Sequence, residues 1–258
     1  MLSPAQIHKQ RALAAKLGRQ VPRVLGIDAA GGPDRTSVVP MPAMVSEQQL
    51  LFASLGVDLR KLSGIQALEN KLEAKRGMIP TYMPWVEGLL QAEQETGAGV
   101  QDEILVQMMI WHIDIGDYAQ AIPLITYVLK HKLALPERFK RTAATMIAEE
   151  SADAALKAFA QGETFDLGYL LAIDGLTDHE DMIDQVRAKL KKAIGQLYAK
   201  AAESTAADAD GAAGARGAAI DTGLGYLRRA LQLDDKAGVK TAIRDLERAQ
   251  AKAESTTE

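Results

Sequence analysis

Apolar side chains recur at intervals of three and four along most of this chain, most regularly over 101–132, QDEILVQMMIWHIDIGDYAQAIPLITYVLKHK. Ile104, Leu105, Met108, Trp111 and Ile115 line one face of a first helix. Gly116 ends it, Asp117 is placed to cap a second, and Tyr118, Ala121, Ile122, Ile125, Val128 and Leu129 repeat the pattern up to the basic Lys130, His131 and Lys132. Two amphipathic helices joined so tightly pack on each other and leave a second surface to bury.

The same pattern predicts further helices on both sides. Ser3-Pro4 opens one that runs to about Gly18, with Lys9, Lys16 and Arg19 on one face. Residues 22–44 hold four prolines and three glycines and read as a linker. Ser46 and Gln49 resemble a capping box, opening a helix that Gly56 breaks. Asp58 restarts it through Leu59, Leu62, Ile65, Leu68 and Leu72 to a stop at Gly77. This helix–Gly–helix unit permits a helix-turn-helix reading as well as an oligomer-forming or solvent-facing one. Pro80 and Pro84 around Tyr82, Met83 and Trp85 predict a stiff apolar corner between head and body. Weaker helices follow at about 142–160 and 165–174, and Thr177 with Glu180 forms a second capping box before a long helix through Ile183, Val186, Leu190, Ile194 and Leu197. Residues 201–219, almost wholly Ala, Gly, Ser, Thr and Asp, read as a mobile insertion. GDYAQAIPLITYVLKHKLALP and GLGYLRRALQLDDKAGVK share enough to suggest tetratricopeptide-like hairpins, with Pro123 bending a helix of the first.

No segment alternates apolar and polar residues over a strand's length, so the fold class is all-α. The divisions are a basic arm at 1–21, a linker at 22–45, a helical DNA-binding or oligomerisation segment at 46–77 and a central body at 78–200. A flexible insertion at 201–222, a C-terminal helical hairpin at 223–253 and a tail at 254–258 complete the chain. With 47% apolar residues in 258, the chain can bury a sizeable core. No apolar run reaches the roughly 18 residues of a membrane span.

Charge changes the picture. The first 25 residues carry Lys9, Arg11, Lys16, Arg19 and Arg23 and no carboxylate, so that of a net −4 the remainder of the chain holds −9. A basic head on an acidic body is a footprint of nucleic-acid binding, and these five residues are the candidate DNA contacts; a solubilising extension has the same composition. Such contacts attract phosphate without reading bases.

Candidate chemistry subtracts from the options. The absence of cysteine excludes disulfides, thiolate metal sites and cysteine nucleophiles. No phosphate-binding loop, H-E-x-x-H or G-x-S-x-G motif occurs. His112 and Asp114, two apart on a helix, point to different faces, and Glu149, Glu150 and Asp153 read as a solvated face. No catalytic residue, metal site or cofactor follows from the sequence.

The runs IPTYMPWVEGLL, QDEILVQMMIWHIDIGDYAQAIPLITYVLKHKLALP, VRAKLKKAIGQLYAK and LRRALQLDDKAGVKTAIRDLER resemble the small terminase subunit of temperate, contractile-tailed, cos-packaging phages. The Pro-Trp-Val segment at 84–86 and the Trp-x-x-Asp-x-Gly-Asp segment at 111–117 are the most specific marks. The resemblance implies a homo-oligomer in the host bacterial cytoplasm that binds double-stranded phage DNA at the packaging site and recruits a large ATPase-nuclease subunit. The family is also labelled the endonuclease subunit, which would bring in Mg²⁺ if this chain did the cutting. A helical-repeat adaptor that ignores DNA is a third reading.

Overall fold

A computed structural model of the chain describes residues 46–207 and 213–255. Among these residues the fold is all-α, with nine helices and no strand. The helix expected at 3–18, the linker at 22–44 and the end of the tail lie outside the described residues. No helix among the described residues is long and apolar enough to cross a membrane. The chain separates into two compact units, Met1–Trp111 and His112–Glu258.

The first unit opens with α1, Glu47–Gly64, and its capping box forms as its sequence predicts: Gln49 donates its backbone N–H to Ser46 Oγ at 3.3 Å, and Ser46 N–H donates to Gln49 Oε1 at 2.9 Å. The break expected at Gly56 is absent. A glycine inside a helix costs about 1 kcal/mol, less than is gained by burying Leu55 and Leu62 from a continuous helix. The chain turns instead at residues 65–67, so a helix-turn-helix about Gly56, one of the readings the sequence permits, does not form.

Helix α2, Leu68–Thr96, packs on α1 and runs unbroken through Gly77, Pro80 and Pro84, where a stop and a rigid corner were expected. Both prolines are exposed, as are Gly77 and Arg76. The carbonyls of Arg76 and Pro80, deprived of their i+4 donors, therefore lie on the side open to water. Ile79, Tyr82, Trp85, Val86 and Leu89 bury the opposite side, each contributing on the order of 1.5–3 kcal/mol. Tertiary burial overrides the local signal.

Helix α3, Glu103–Ile115, crosses the division between the units. One buried face was expected of it. Val106, Met109, Ile110, Ile113, Gln107 and His112 are buried as well, so it is covered nearly all round.

The second unit holds α4 (Tyr118–Lys130), α5 (Ala143–Ala160), α6 (Leu167–Thr177), α7 (Asp184–Ala207), α8 (Ala213–Leu233) and α9 (Lys240–Ser255). Pro123 is exposed and does not interrupt α4. Helix α7 packs on α5, α6 and α8, and α8 packs on α9. The capping box expected at Thr177 does not form, because Thr177 ends α6 and its hydroxyl donates back to Ile173 O at 2.7 Å. The stretch expected to be a mobile insertion is helical at 201–207 and from 213 onward, as its alanine content favours once α7 and α8 extend it from packed cores. Residues 208–212 lie outside the described residues.

The tetratricopeptide-like repeat is not confirmed. Gly116 of the first copy ends a helix with φ 76°, whereas its counterpart Gly223 sits inside α8. Gly223 serves close approach instead: a Cβ there would lie 3.1 Å from Tyr198 Cβ and 3.4 Å from Gly195 O. Gly195 answers it from α7, where a Cβ would lie 2.7 Å from Leu227 Cγ. Lys191 of α7 pairs with Asp174 of α6 at 2.7 Å, and Tyr226 of α8 donates to the same carboxylate at 3.3 Å. Burial, with Asp174 alongside, pushes the Tyr226 hydroxyl up to about 12. Ile220, Leu224, Leu227, Val239, Ile243 and Leu246 close the core of the C-terminal pair.

Gly195→Ala is therefore expected to destabilise the protein by about 1–3 kcal/mol through overpacking. Gly225→Ala, on the exposed side of α8 with nothing within 4 Å of the new methyl, is expected to stabilise it by about 0.5–1 kcal/mol. Urea unfolding of the two variants checks both signs.

Candidate functional site

The residues that mark the resemblance do structural work. In the first unit, Asp102 is buried before α3 and caps it, Oδ1 accepting from Leu105 N–H at 2.8 Å. Its Oδ2 accepts from Trp85 Nε1–H at 3.1 Å and from Gln48 Nε2 at 3.2 Å. One carboxylate thus joins α1, α2 and α3, and Trp85 of the Pro-Trp-Val segment is its aromatic donor. The sequence carries a signal for Asp102, an Asp just ahead of an apolar run. Tyr82 makes the parallel link, donating to Asp58 Oδ2 at 2.8 Å and meeting Trp111 edge-on at 6.1 Å between ring centroids. Burial and the Asp58 carboxylate push the Tyr82 hydroxyl up to about 12, against a downward pull from Ser54.

In the second unit the Gly116-Asp117 pair ends α3 and starts α4. Gly116 takes the left-handed conformation; its N–H donates to Ile113 O at 3.1 Å and Asp117 N–H donates to His112 O at 2.9 Å, a Schellman closure. Asp117 Oδ1 then accepts from Gln120 N–H at 3.4 Å as the cap of α4. Its Oδ2 stands 3.3 Å from His112 Nδ1, close enough for an ion pair but without the alignment of a hydrogen bond. His112 is only 3% exposed, and neither ring nitrogen has an aligned partner. Burial pulls the imidazole below its ordinary value of 6.5, and Asp117 opposes the pull without overcoming it. Beyond the turn, Tyr118 stacks on Tyr169 at 4.1 Å, and Tyr169 shares a 2.7 Å hydrogen bond with Ser151.

The five candidate DNA contacts, Lys9, Arg11, Lys16, Arg19 and Arg23, lie outside the described residues. The acidic group on α5 is drawn into ion pairs: Glu149 with Arg141 and Lys189, and Asp153 with Lys189 at 2.9 Å. Burial, then Asp114 and Asp153, push the Glu150 carboxyl up, while Lys189 and Arg141 pull it back. Among the described residues no three His, Asp or Glu side chains come together to hold a metal ion.

The chain has a second basic feature. Residues 130–141, KHKLALPERFKR, hold Lys130, Lys132, Arg138, Lys140 and Arg141 against Glu137, a local charge of +4. All five cations are exposed, Lys130 as the last residue of α4 and the other four on the connection to α5. Reading Lys130, His131 and Lys132 only as the basic end of a helix concealed the longer run.

Residues 52–185 match the family model of the phage small terminase subunit. Over 248 residues, 96% of this chain and 85% of the relative, the sequence is 39% identical to the "Terminase, endonuclease subunit" of Escherichia phage P2. The chain belongs to the phage small terminase subunit family. A further relative of this small terminase subunit is the "Probable terminase, endonuclease subunit" of Haemophilus phage HP1 (strain HP1c1), 24% identical over 199 residues, 77% of this chain and 68% of that relative. No solved structure matches the chain. Family membership gives this small terminase subunit a role in phage DNA packaging. The family match runs from within α1 to the first turn of α7, so it contains the Asp102 and Asp117 junctions but neither the basic arm nor the α8–α9 pair.

The environment of His112 sets a pH dependence. Its pKa is lower folded than unfolded, so below about 6.5 the unfolded chain binds more protons and stability falls with pH. The stability difference between wild type and His112→Gln is expected to be constant above about pH 7.5 and to move in favour of the variant as pH drops through 6.5. Denaturant unfolding between pH 5 and 8 measures it; a difference that stays flat over the range refutes a buried neutral imidazole.

Proposed function

We propose that this chain is the DNA-recognising subunit of its terminase: it binds double-stranded phage DNA at the cos packaging site, assembles as a homo-oligomer, and recruits the large ATPase-nuclease subunit in the cytoplasm of the host bacterium. The observation that carries this reading is the charge division, five cations and no carboxylate in the first 25 residues of a family member whose net charge is −4. Lys9, Lys16 and Arg19, with Arg11 and Arg23, supply phosphate attraction. Each contact is weak and blind to sequence; repetition around an oligomer makes the contacts effective together. The helical body, with the α8–α9 pair, holds the oligomer and meets the large subunit.

A second reading, favoured by the name of the phage P2 relative, makes this chain itself the nuclease with Mg²⁺ as its metal. The ion pairing of Glu149 and Asp153 supports assigning cleavage to the assembled terminase instead.

Charge reversal at Lys9, Lys16 and Arg19 together is expected to weaken binding to a cos duplex and to flatten its salt dependence by about three units of log K against log salt. Gel shift across a salt series, with native mass measurement of the same samples, tests this. Unchanged binding moves the contact to other residues, a monomer indifferent to DNA favours an adaptor, and dose-dependent cutting of cos DNA by the isolated chain with Mg²⁺ establishes the nuclease.

A further inference from the structure

The connection between α4 and α5 is built in an uneconomical way. Helix α4 ends in a Schellman closure: Lys132 N–H donates to Leu129 O at 3.2 Å and Leu133 N–H to Val128 O at 3.0 Å, with Leu133 and Val128 both buried. That closure needs one residue in the left-handed region, and the residue there is Lys132, with φ 52°. Every other positive-φ position among the described residues, Gly97, Gly116, Gly162 and Gly238, is a glycine. A side chain in this conformation costs about 1 kcal/mol relative to glycine, and backbone strain of this kind gathers where a side chain serves function.

What the lysine gains is its position. Lys132 and Lys140 line an open cleft of about 520 Å³. Neither has an ion-pair partner among the described residues. The other cation of the cleft, Arg141, is engaged by Glu149, and Glu180 is the one carboxylate among the lining residues. Phe139 forms part of the wall, and Arg138 lies over its ring at 4.9 Å, held at the connection by the stacking. The whole segment carries +4 in a chain of net −4. Lysine heads without a planar fork or hydrogen-bond acceptors beside them suit a phosphodiester backbone, whose charges repeat along a line, and read no base edge.

We propose that residues 130–141 form a second phosphate-binding surface for double-stranded DNA, with Lys132 and Lys140 as its principal contacts, separate from the arm at 1–23. This rests on the DNA-binding reading of the protein given above. The surface acts on any duplex sequence alike and adds salt-sensitive affinity to what the arm supplies.

The left-handed lysine gives a test in which folding and binding move in opposite directions. Lys132→Gly in the full chain relieves the strain, so its melting temperature is expected to equal or exceed that of the wild type. Its slope of log K against log salt is expected to be shallower by about one unit, and that of Lys132→Gly/Lys140→Gln by about two, equally on a cos duplex and an unrelated duplex in fluorescence anisotropy. Glu137→Gln is expected to tighten binding on both. Wild-type slopes and affinities in the loop variants, while reversal of Lys9, Lys16 and Arg19 weakens binding as expected above, overturn the second surface and leave the arm standing. A wild-type protein that fails to bind either duplex at low salt overturns the DNA reading and the second surface with it. Loop variants that bind DNA normally but no longer co-purify with the large subunit assign the surface to an acidic protein partner and likewise overturn the proposal.

Discussion

A helix leaves its last four carbonyls and its first four amides without partners, and a chain made of helices must satisfy both at every junction. The junction between α3 and α4 does so in two residues. Gly116 supplies the left-handed turn, and Asp117 closes α3 through its backbone N–H while capping α4 through its carboxylate. Its other carboxylate oxygen faces the buried ring of His112 at 3.3 Å and opposes, without overcoming, the effect of burial on that imidazole. A Glu at 117 would reach past Gln120 N–H, and an Asn would lose the charge that faces His112. The Trp-x-x-Asp-x-Gly-Asp segment is thus held together by backbone geometry, and its specificity as a family mark needs no catalytic explanation.

Buried carboxylates with aromatic donors recur as the ties between helices within each unit. Asp58 takes the Tyr82 hydroxyl, Asp102 the Trp85 indole N–H, and Asp174 the Tyr226 hydroxyl. Each aspartate has a further partner: Lys61 for Asp58, Gln48 and the α3 amide for Asp102, Lys191 for Asp174. A buried charge left alone is expensive, so such a tie tolerates only the geometry in which every partner is in place. An apolar contact of the same area would allow two helices to slide. These ties fix register, while Leu, Ile and Met contacts supply most of the burial.

How much of this was legible in the sequence follows from the range of the forces. Signals that act within one turn, such as the Ser46–Gln49 capping box, the Gly116 stop and the Asp117 cap, read directly. Gly56, Gly77, Pro80 and Pro84 misled because a local preference of about 1–3 kcal/mol per residue is outweighed by burial of Leu55, Leu62, Tyr82 and Trp85, whose partners lie on another helix. Thr177 misled for a different reason, since its hydroxyl donates back to Ile173 O and the Glu180 N–H goes to the Thr177 carbonyl. Gly195 and Gly223 gave no signal as a pair, because their meaning lies in the packing of α7 on α8. The left-handed turn at 132 was hidden because its residue is a lysine, while the basic arm was legible as charge alone.

Net charge is a poor guide to what such a protein binds. At physiological ionic strength the Debye length is about 8 Å, so a phosphate near one exposed segment is screened from most carboxylates elsewhere on the chain. A local +4 at 130–141 therefore attracts it even though the chain totals −4. On the proposed DNA-binding reading the acidic remainder has its own consequence, since like charge opposes wrapping of DNA over the whole surface and favours contact at the basic segments. On the same reading, two short basic segments on an acidic chain suit a subunit that holds a duplex and then releases it. Affinity divided among weak, salt-sensitive contacts can be given up one contact at a time, whereas a single tight site would have to break at once.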